Sequence, residues 1–419
     1  MSEIPTRAQA RAARQPSRAA AARHGRLKQR RFLGSILKIA TVMVAVVVLS
    51  GSGVAAYAWF DLVGHLKPSV SLVDKNGKQV VPELDAIDGA FNVVLAGSDS
   101  GDGNPIYGQR GETLNDVTML LHVSADHKNA TIVSFPRDMF VQIPSCPDPR
   151  GGHFSAMSSQ KINNTLTYGG LACTVLTVEN LTGLDIAYAA LIEFDGVIEM
   201  SNAVGGVPVC VAGAINDPYT GLVLAAGSHT LRGSEALAFL RTRHGVGDGS
   251  DLGRISNQQV FLSSLVRTMK SAGTLSNPGT VYALAKAATS NMTLSTSLNS
   301  VTTLASMALA LKNVDVSKVV FVQYPNHYVD GGVAPTTAAA AILMSALKND
   351  QPVNLTGDTG VGSEAASQAS VTNPSTISGS PSSSAPTQPA QTGSQGVDLP
   401  QSVHGQTGGQ VTCSKPFSE

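Results

Sequence analysis

From Ile39 to Tyr57 the chain reads IATVMVAVVVLSGSGVAAY, nineteen positions without a charge. About twenty apolar residues suffice to cross a hydrocarbon core, so this stretch restricts the chain to folds that begin at a membrane. Lys38 stands where its ammonium can snorkel to the near interface. Tyr57, Trp59 and Phe60 suit the far one. Upstream, residues 1–31 carry Arg7, Arg11, Arg14, Arg18, Arg23, Arg26, Lys28, Arg30 and Arg31 against the single acid Glu3. Positive charge on that side places the N-terminus in the cytoplasm and the remainder outside. Ala56-Tyr57-Ala58 resembles a cleavage site, but the basic arm and the apolar run both exceed those of a cleaved leader. An uncleaved single-pass anchor is expected.

The remaining organisation follows from composition shifts. Residues 1–31 are expected as a disordered basic arm, 32–60 as the transmembrane signal-anchor, 61–90 as an extracellular connector, 91–349 as a globular domain, and 350–419, rich in Ser, Thr, Pro and Gly, as a disordered tail. Net charge is zero over 419 residues. With the arm set aside, the exported part is acidic, and its arginines are placed rather than abundant. Nucleic acid is excluded as a partner, because the basic run lies inside the cell and no basic-aromatic pattern follows. Outside the cell disulfides are permitted. Cys146 and Cys173 flank one segment and pair first, while Cys210 is either a buried thiol or the partner of Cys413.

Within 91–349, "FNVVLAG", "VTMLLHVS", "ATIVSFP" and "KVVFVQYP" read as strands. Helices are expected in the middle of "KINNTLTYGGLACTVLTVENLTG", over 254–271 and in "TTAAAAILMSALKND". Strands alternating with helices predict an α/β fold with a central sheet covered on both faces.

The chemistry concentrates in "LAFLRTRHGVGDGSDLGRISNQQVFLSSLV", Leu237 to Val266. Ser234 is expected to cap a short helix. If the chain straightens after it, Arg241 and Arg243 share a face. Arg254 and Gln258 are four apart and share a helix face. A helix starting near Leu252 would add free backbone N–H groups for an anion. The competing reading pairs Arg241 and Arg243 with Asp248 and Asp251 as surface ion pairs. Upstream, Asp99 follows one strand, Asp116 opens the next, and Arg137 with Asp138 follows the third. Two carboxylates at neighbouring strand ends suit Mg²⁺, which takes one or two carboxylates beside phosphate and water.

In order, "NVVLAGSD", "NDVTMLLHVS", "SFPRDMFVQIP", "KINNTLTYGG", "VENLTG", "VGGV", "LRGSEALAFLRTRHG" and "DGSDLGRISNQQ" resemble the LytR-CpsA-Psr family over roughly residues 90–270. The resemblance implies a three-layer fold with a central mixed sheet and an apolar lipid cavity. It also implies an envelope phosphotransferase that moves a glycan phosphate from a polyprenyl-pyrophosphate carrier to peptidoglycan, at the muramic acid C6 hydroxyl. By position, Asp99 and Asp116 match the Mg²⁺-holding acids, and Arg137, Arg241, Arg243, Arg254 and Gln258 match the pyrophosphate set. Asp116 and Arg137 are the expected catalytic residues, Asp116 as the base. The family's arginine after the first aspartate is Gly101 here, and the one before the second is Leu114; Arg110 is expected to supply a missing charge. Glu112 competes with Asp116 as the second acid, but spacing to His122 favours Asp116. His244, His153 and Lys161 read as structural. Two other outcomes fit the same residues: an envelope regulator that binds lipid-linked glycan without transfer, and a pyrophosphatase in which water replaces the sugar hydroxyl.

Overall fold

A computed structural model describes residues 32–74, 77–80, 87, 89–99, 113–271, 273–274, 277–366 and 396–418. The chain separates into two compact units, residues 1–58 and 59–419. Helix α1, Phe32–Gly64, is continuous over 33 residues, with its side chains described only in part before Ser52. Among the described residues no helix is long and apolar enough to cross a membrane, so the anchor expected over 32–60 is not shown. The basic arm, Gly101, Arg110 and Glu112 lie outside the described residues.

The second unit is built on a seven-stranded mixed sheet. Its strands are β1 (Phe91–Ser98), β2 (Asn115–Val123), β3 (Ala130–Phe135), β4 (Tyr188–Ile192), β9 (Met292–Leu294), β10 (Val319–Gln323) and β14 (Gly405–Thr407). In space they run β9, β4, β1, β2, β3, β10, β14. The β1–β2–β3 meander is antiparallel, while β4 and β10 join it in parallel. All five residues of β10 are buried, as expected for a strand covered on both faces.

Two apolar layers enclose this sheet. On one face Val94, Leu120 and Val133 meet α2 (Thr165–Thr182) and α8 (Thr337–Lys348) through Val175, Leu343 and Leu347. On the other, Val93, Ala190 and Phe321 meet α7 (Val301–Asn313) through Met307 and Ala310. The expected helix–sheet–helix architecture is therefore present.

A smaller sheet stands beside it: β5 (Val207–Val211), β8 (Gly227–Leu231), β13 (Ser363–Ala365) and β15 (Thr412–Ser414). The hairpin β6 (Ile215–Asp217) and β7 (Leu222–Leu224) lies between β5 and β8 in the chain. Helices α3 (Phe194–Ala203), α4 (Gly233–Arg241), α5 (Asp251–Lys270) and α6 (Pro278–Asn291) belong to the same unit, and Phe239 of α4 and Phe261 of α5 pack with Val207, Val209 and Leu231 of the smaller sheet. A further hairpin joins β11 (Asn326–Val329) to β12 (Gly332–Pro335).

Three sequence expectations need correction. The expected connector is partly core: Leu72 is buried, and Val70 donates its N–H to Leu294. The span 350–419, expected to be disordered, is ordered at both ends. Residues 353–354, 363–365, 397–398, 405–407 and 412–414 form short strands, β14 closes one edge of the main sheet, and Cys413 is disulfide-bonded to Cys210. Such strands are held by tertiary pairing and a covalent bond, which polar composition does not register; residues 367–395 lie outside the described set. Finally, α4 begins at Gly233 with Arg232 at its N-cap, so Ser234 is inside the helix rather than capping it. Cys146 and Cys173 are bonded, fastening the loop after β3 to α2.

Candidate active site

The acidic half comes from a fault in strand pairing. Between β1 and β2, Gly97 pairs with Val117 but Ser98 pairs with Asn115, leaving Asp116 as the extra residue of a bulge. Bulges re-aim a side chain that would otherwise follow the pleat. Asp99, only 2% exposed, follows β1 and is fixed by Leu114: its carboxylate accepts that N–H at 2.9 Å and its own N–H donates to Leu114 O at 3.2 Å.

The basic half is anchored on two elements. Arg137 sits in the turn after β3, its N–H donating to Asp251 Oδ2 at 3.0 Å and its carbonyl accepting from Asn163. From there Nη1 donates to Asp116 Oδ1, and Nε lies 3.5 Å from Asp138. Asp138 in turn accepts from Lys161 at 3.1 Å. Arg254, 4% exposed in the first turn of α5, donates through Nη2 to Asp116 O at 2.7 Å. The same nitrogen lies 2.6 Å from Asp251 Oδ1, and Nη1 is 3.7 Å from Asp116 Oδ2.

Electrostatics make this cluster a site for a further anion. Burial pushes the Asp116 carboxyl upward, but Arg254 and Arg137 outweigh it and hold the group below the ordinary carboxylate range. Burial and then repulsion from Arg137 and Arg254 depress Arg243, only partly offset by Asp251 and Asp116. A guanidinium repelled by two others is stabilised by whatever anion enters.

Arg241 and Arg243 are aimed by Asp217 and Asn257, which sequence reasoning missed, and by Gln258, which it had placed on the anion instead. Helix α4 ends at Arg241, and Thr242 is extended at φ −62°, ψ 133°. Asp217, fully buried, accepts from Thr242 Oγ1 at 2.5 Å and from Arg243 N at 3.2 Å. The side chains of Asn257 and Gln258 donate to Phe239 O at 2.6 Å and Leu240 O at 2.9 Å, fixing the last turn of α4. In "INDPYTG" Asp217 reads as a turn residue; only the fold reveals its burial. Asp251 was read as a partner for Arg241 or Arg243, and it serves Arg254 and the Arg137 N–H.

Helix α5 begins at Asp251 and is capped by Ser250, whose hydroxyl accepts from Leu252 N and Gly253 N at 3.2 and 3.3 Å. Those two amides, expected to be free for an anion, are therefore engaged; the positive charge here is carried by side chains. Asp248 accepts from Ser250 N and from the Tyr328 hydroxyl. His244 lies against Tyr219 with ring centroids 4.5 Å apart, and His153 is exposed on a short strand away from this cluster.

Beside the cluster opens an apolar cavity of about 300 Å³. Its walls come from β1, β2 and helices α3 to α6, including Met119, Val197, Met200, Leu240, Phe261, Leu265 and Leu284. Polar lining is confined to a few groups, among them Asp116, Arg241, Arg254 and Gln258. The Arg241 guanidinium lies 4.3 Å from the Phe194 ring centroid, a cation–π contact on the cavity wall. Among the described residues no three acids, histidines or cysteines gather into a metal cage. Asp99 follows β1 and Asp116 lies in the β2 bulge beside it, and these are the two carboxylates that could take a divalent cation here.

A family profile described as the LytR_cpsA_psr family matches residues 66–349. The cell wall biosynthesis protein LcpA of Corynebacterium glutamicum is 31% identical over 320 residues, which is 70% of this chain and 60% of LcpA. The polyisoprenyl-teichoic acid–peptidoglycan teichoic acid transferase TagT of Bacillus subtilis is 31% identical over 267 residues, 60% of this chain and 76% of TagT. Thus the chain spans about three-fifths of LcpA and of the related LcpB. Among solved structures, protein gbs0355 of Streptococcus agalactiae aligns with a TM-score of 0.52 at 21% identity, covering 64% of this chain and 91% of that one. The LytR-Csp2A-Psr enzyme of Actinomyces oris gives 0.51 at 21% identity, covering 68% and 96%. Both share the fold.

Proposed function

The chain belongs to the LytR-CpsA-Psr family, and on that premise we propose that it is a phosphotransferase of cell-wall assembly. Its donor is a glycan on a polyprenyl-pyrophosphate carrier, and its acceptor is the muramic acid C6 hydroxyl of peptidoglycan. The observation that carries this reading is a cluster of guanidiniums over an apolar cavity, matching a ligand that joins two phosphates to a hydrocarbon chain. The name of TagT, a teichoic acid transferase, supports the same class of reaction.

Arg137, Arg241, Arg243 and Arg254, with Gln258, hold the pyrophosphate. The cavity takes the carrier's first isoprene units. The acceptor oxygen bonds to the glycan-side phosphorus, polyprenyl phosphate departs, and the fixed arginines stabilise the charge that grows on it. Asp116 takes the acceptor's proton, directly or through water. Its low pKa keeps it ionised at neutral pH but makes it a weak base, so positioning bears more of the catalysis. Asp99 and Asp116 are the residues that would hold Mg²⁺, which when bound would supply charge neutralisation on the pyrophosphate. The basic arm and the uncharged run to Tyr57 support a single-pass membrane position with a cytoplasmic N-terminus and an extracellular site.

Incubating the protein with a polyprenyl-pyrophosphate glycan, peptidoglycan and Mg²⁺ tests the proposal. Glycan recovered in the insoluble wall is the expected product. Soluble glycan phosphate would make the protein a pyrophosphatase, and tight binding without either product would make it a regulator; both results overturn transfer.

A further inference from the structure

The loop between Arg243 and Arg254 contains Gly245, Gly247, Gly249 and Gly253, more glycine than a turn requires. The structure accounts for two of them, Gly247 and Gly249, by close approach of chain from beyond residue 349, where the family match ends. Lys415 O accepts from Gly247 N at 3.0 Å, Phe417 N donates to Gly245 O at 2.9 Å, and Ser418 N donates to Gly247 O at 3.0 Å. Val246 and Pro416 form an antiparallel bridge. A Cβ on Gly247, at φ +56°, would lie 2.9 Å from Val361 O, and one on Gly249 would lie 3.2 Å from the Phe417 ring. The loop is thus a strand partner of residues 415–418, with glycine where the two backbones nearly touch.

A second contact reaches the arginines from behind. Ser414 Oγ donates to Asn257 Oδ1, and the amide of Asn257 donates to Phe239 O, two residues before Arg241. Gln406 and Arg267 extend the attachment along α5: Gln406 Nε2 donates to Gln259 O, and Arg267 Nη1 to Gly408 O and Gln410 O. Both ends of the loop therefore rest on one C-terminal segment.

We propose that residues 412–418 are a positioning strap for the anion site, setting the distance between the Arg241–Arg243 end of the loop and Arg254. Pro416–Ser418 act through the backbone of residues 245–247, and Ser414 acts through Asn257. None of them touches the anion. The proposal concerns anion binding and does not depend on transfer, so a failed transfer assay leaves it standing.

Two variants of the full chain test it: deletion of 416–419, which keeps Cys413 and Ser414, and Ser414→Ala. Calorimetry at fixed ionic strength measures two probes, inorganic pyrophosphate for the arginines and farnesol for the cavity. Small displacements of binding groups carry large penalties, so the deletion is expected to weaken pyrophosphate by about tenfold or more. Farnesol affinity should stay unchanged, and Ser414→Ala should move pyrophosphate alone in the same direction. Unaltered pyrophosphate affinity in the folded deletion overturns the proposal, as does an equal loss of both probes in Ser414→Ala. Should the deletion not fold, Ser414→Ala decides by the same two criteria.

Discussion

Asp116 is where opposing forces are balanced most closely. Burial favours its neutral form, and two guanidiniums reverse that preference. The carboxyl is thus easier to ionise when folded, so it stabilises the fold above its unfolded pKa of about 3.9, and that contribution fades as pH falls through the lower folded value. In urea melts, Asp116→Asn should be clearly less stable than wild type at pH 7, with the gap narrowing below pH ~4; a gap independent of pH would contradict the assignment. Arg137→Ala leaves Asp116 paired with Arg254 and should fold. Its transfer rate should drop by about 10² or more, the usual loss when one preorganised donor to a developing anion is removed. A rate near wild type would take Arg137 out of the anion site. Arg254 is different: it is buried between Asp116 and Asp251, and its removal would leave Asp116 to Arg137 alone and Asp251 to the Arg137 N–H, costing about 3–5 kcal/mol of stability in urea melts.

At the level of elements, helix α5 joins the arginine cluster to the cavity wall, carrying Arg254 and Gln258 in its first turns and Leu262 and Leu265 farther on. Its start depends on Ser250, and Ser250→Ala should lower stability by about 1 kcal/mol in denaturant titration. The cavity tests the opposite end. Leu284→Trp in α6 adds bulk to the wall and should impair binding of polyprenyl ligands while leaving inorganic pyrophosphate affinity intact. Equal weakening of both would mean that the substitution had displaced the arginines as well. Helix α5 was largely legible beforehand, because its apolar stripe repeats at helical spacing. Its cap was not, since Ser250 is one of several loop residues suited to that position.

Across the whole molecule, legibility follows how local each determinant is. The strands β1, β2, β3 and β10 are continuous apolar runs, whereas spacing alone left Arg241 and Arg243 between an anion clamp with Arg254 and Gln258 and ion pairs with Asp248 and Asp251. Asp217, Asn257 and Ser414 did not stand out, because each acts on a group distant in sequence: Asp217 across 26 positions, Asn257 across 18 and Ser414 across 157. The ends of the 350–419 span escaped for the same reason. Strand β14 has three residues, Gly-Gln-Thr, and nothing in that triplet predicts a place in the main sheet. Its pairing with Val320, Phe321 and Val322 covers the outer side of β10. Cut the chain after Asn349 and those N–H and C=O groups would face solvent beside an apolar strand, a template for cross-molecular strand addition. Fragments cut there should gather into concentration-dependent aggregates on size-exclusion chromatography, so solubility, besides geometry, is something the last residues confer.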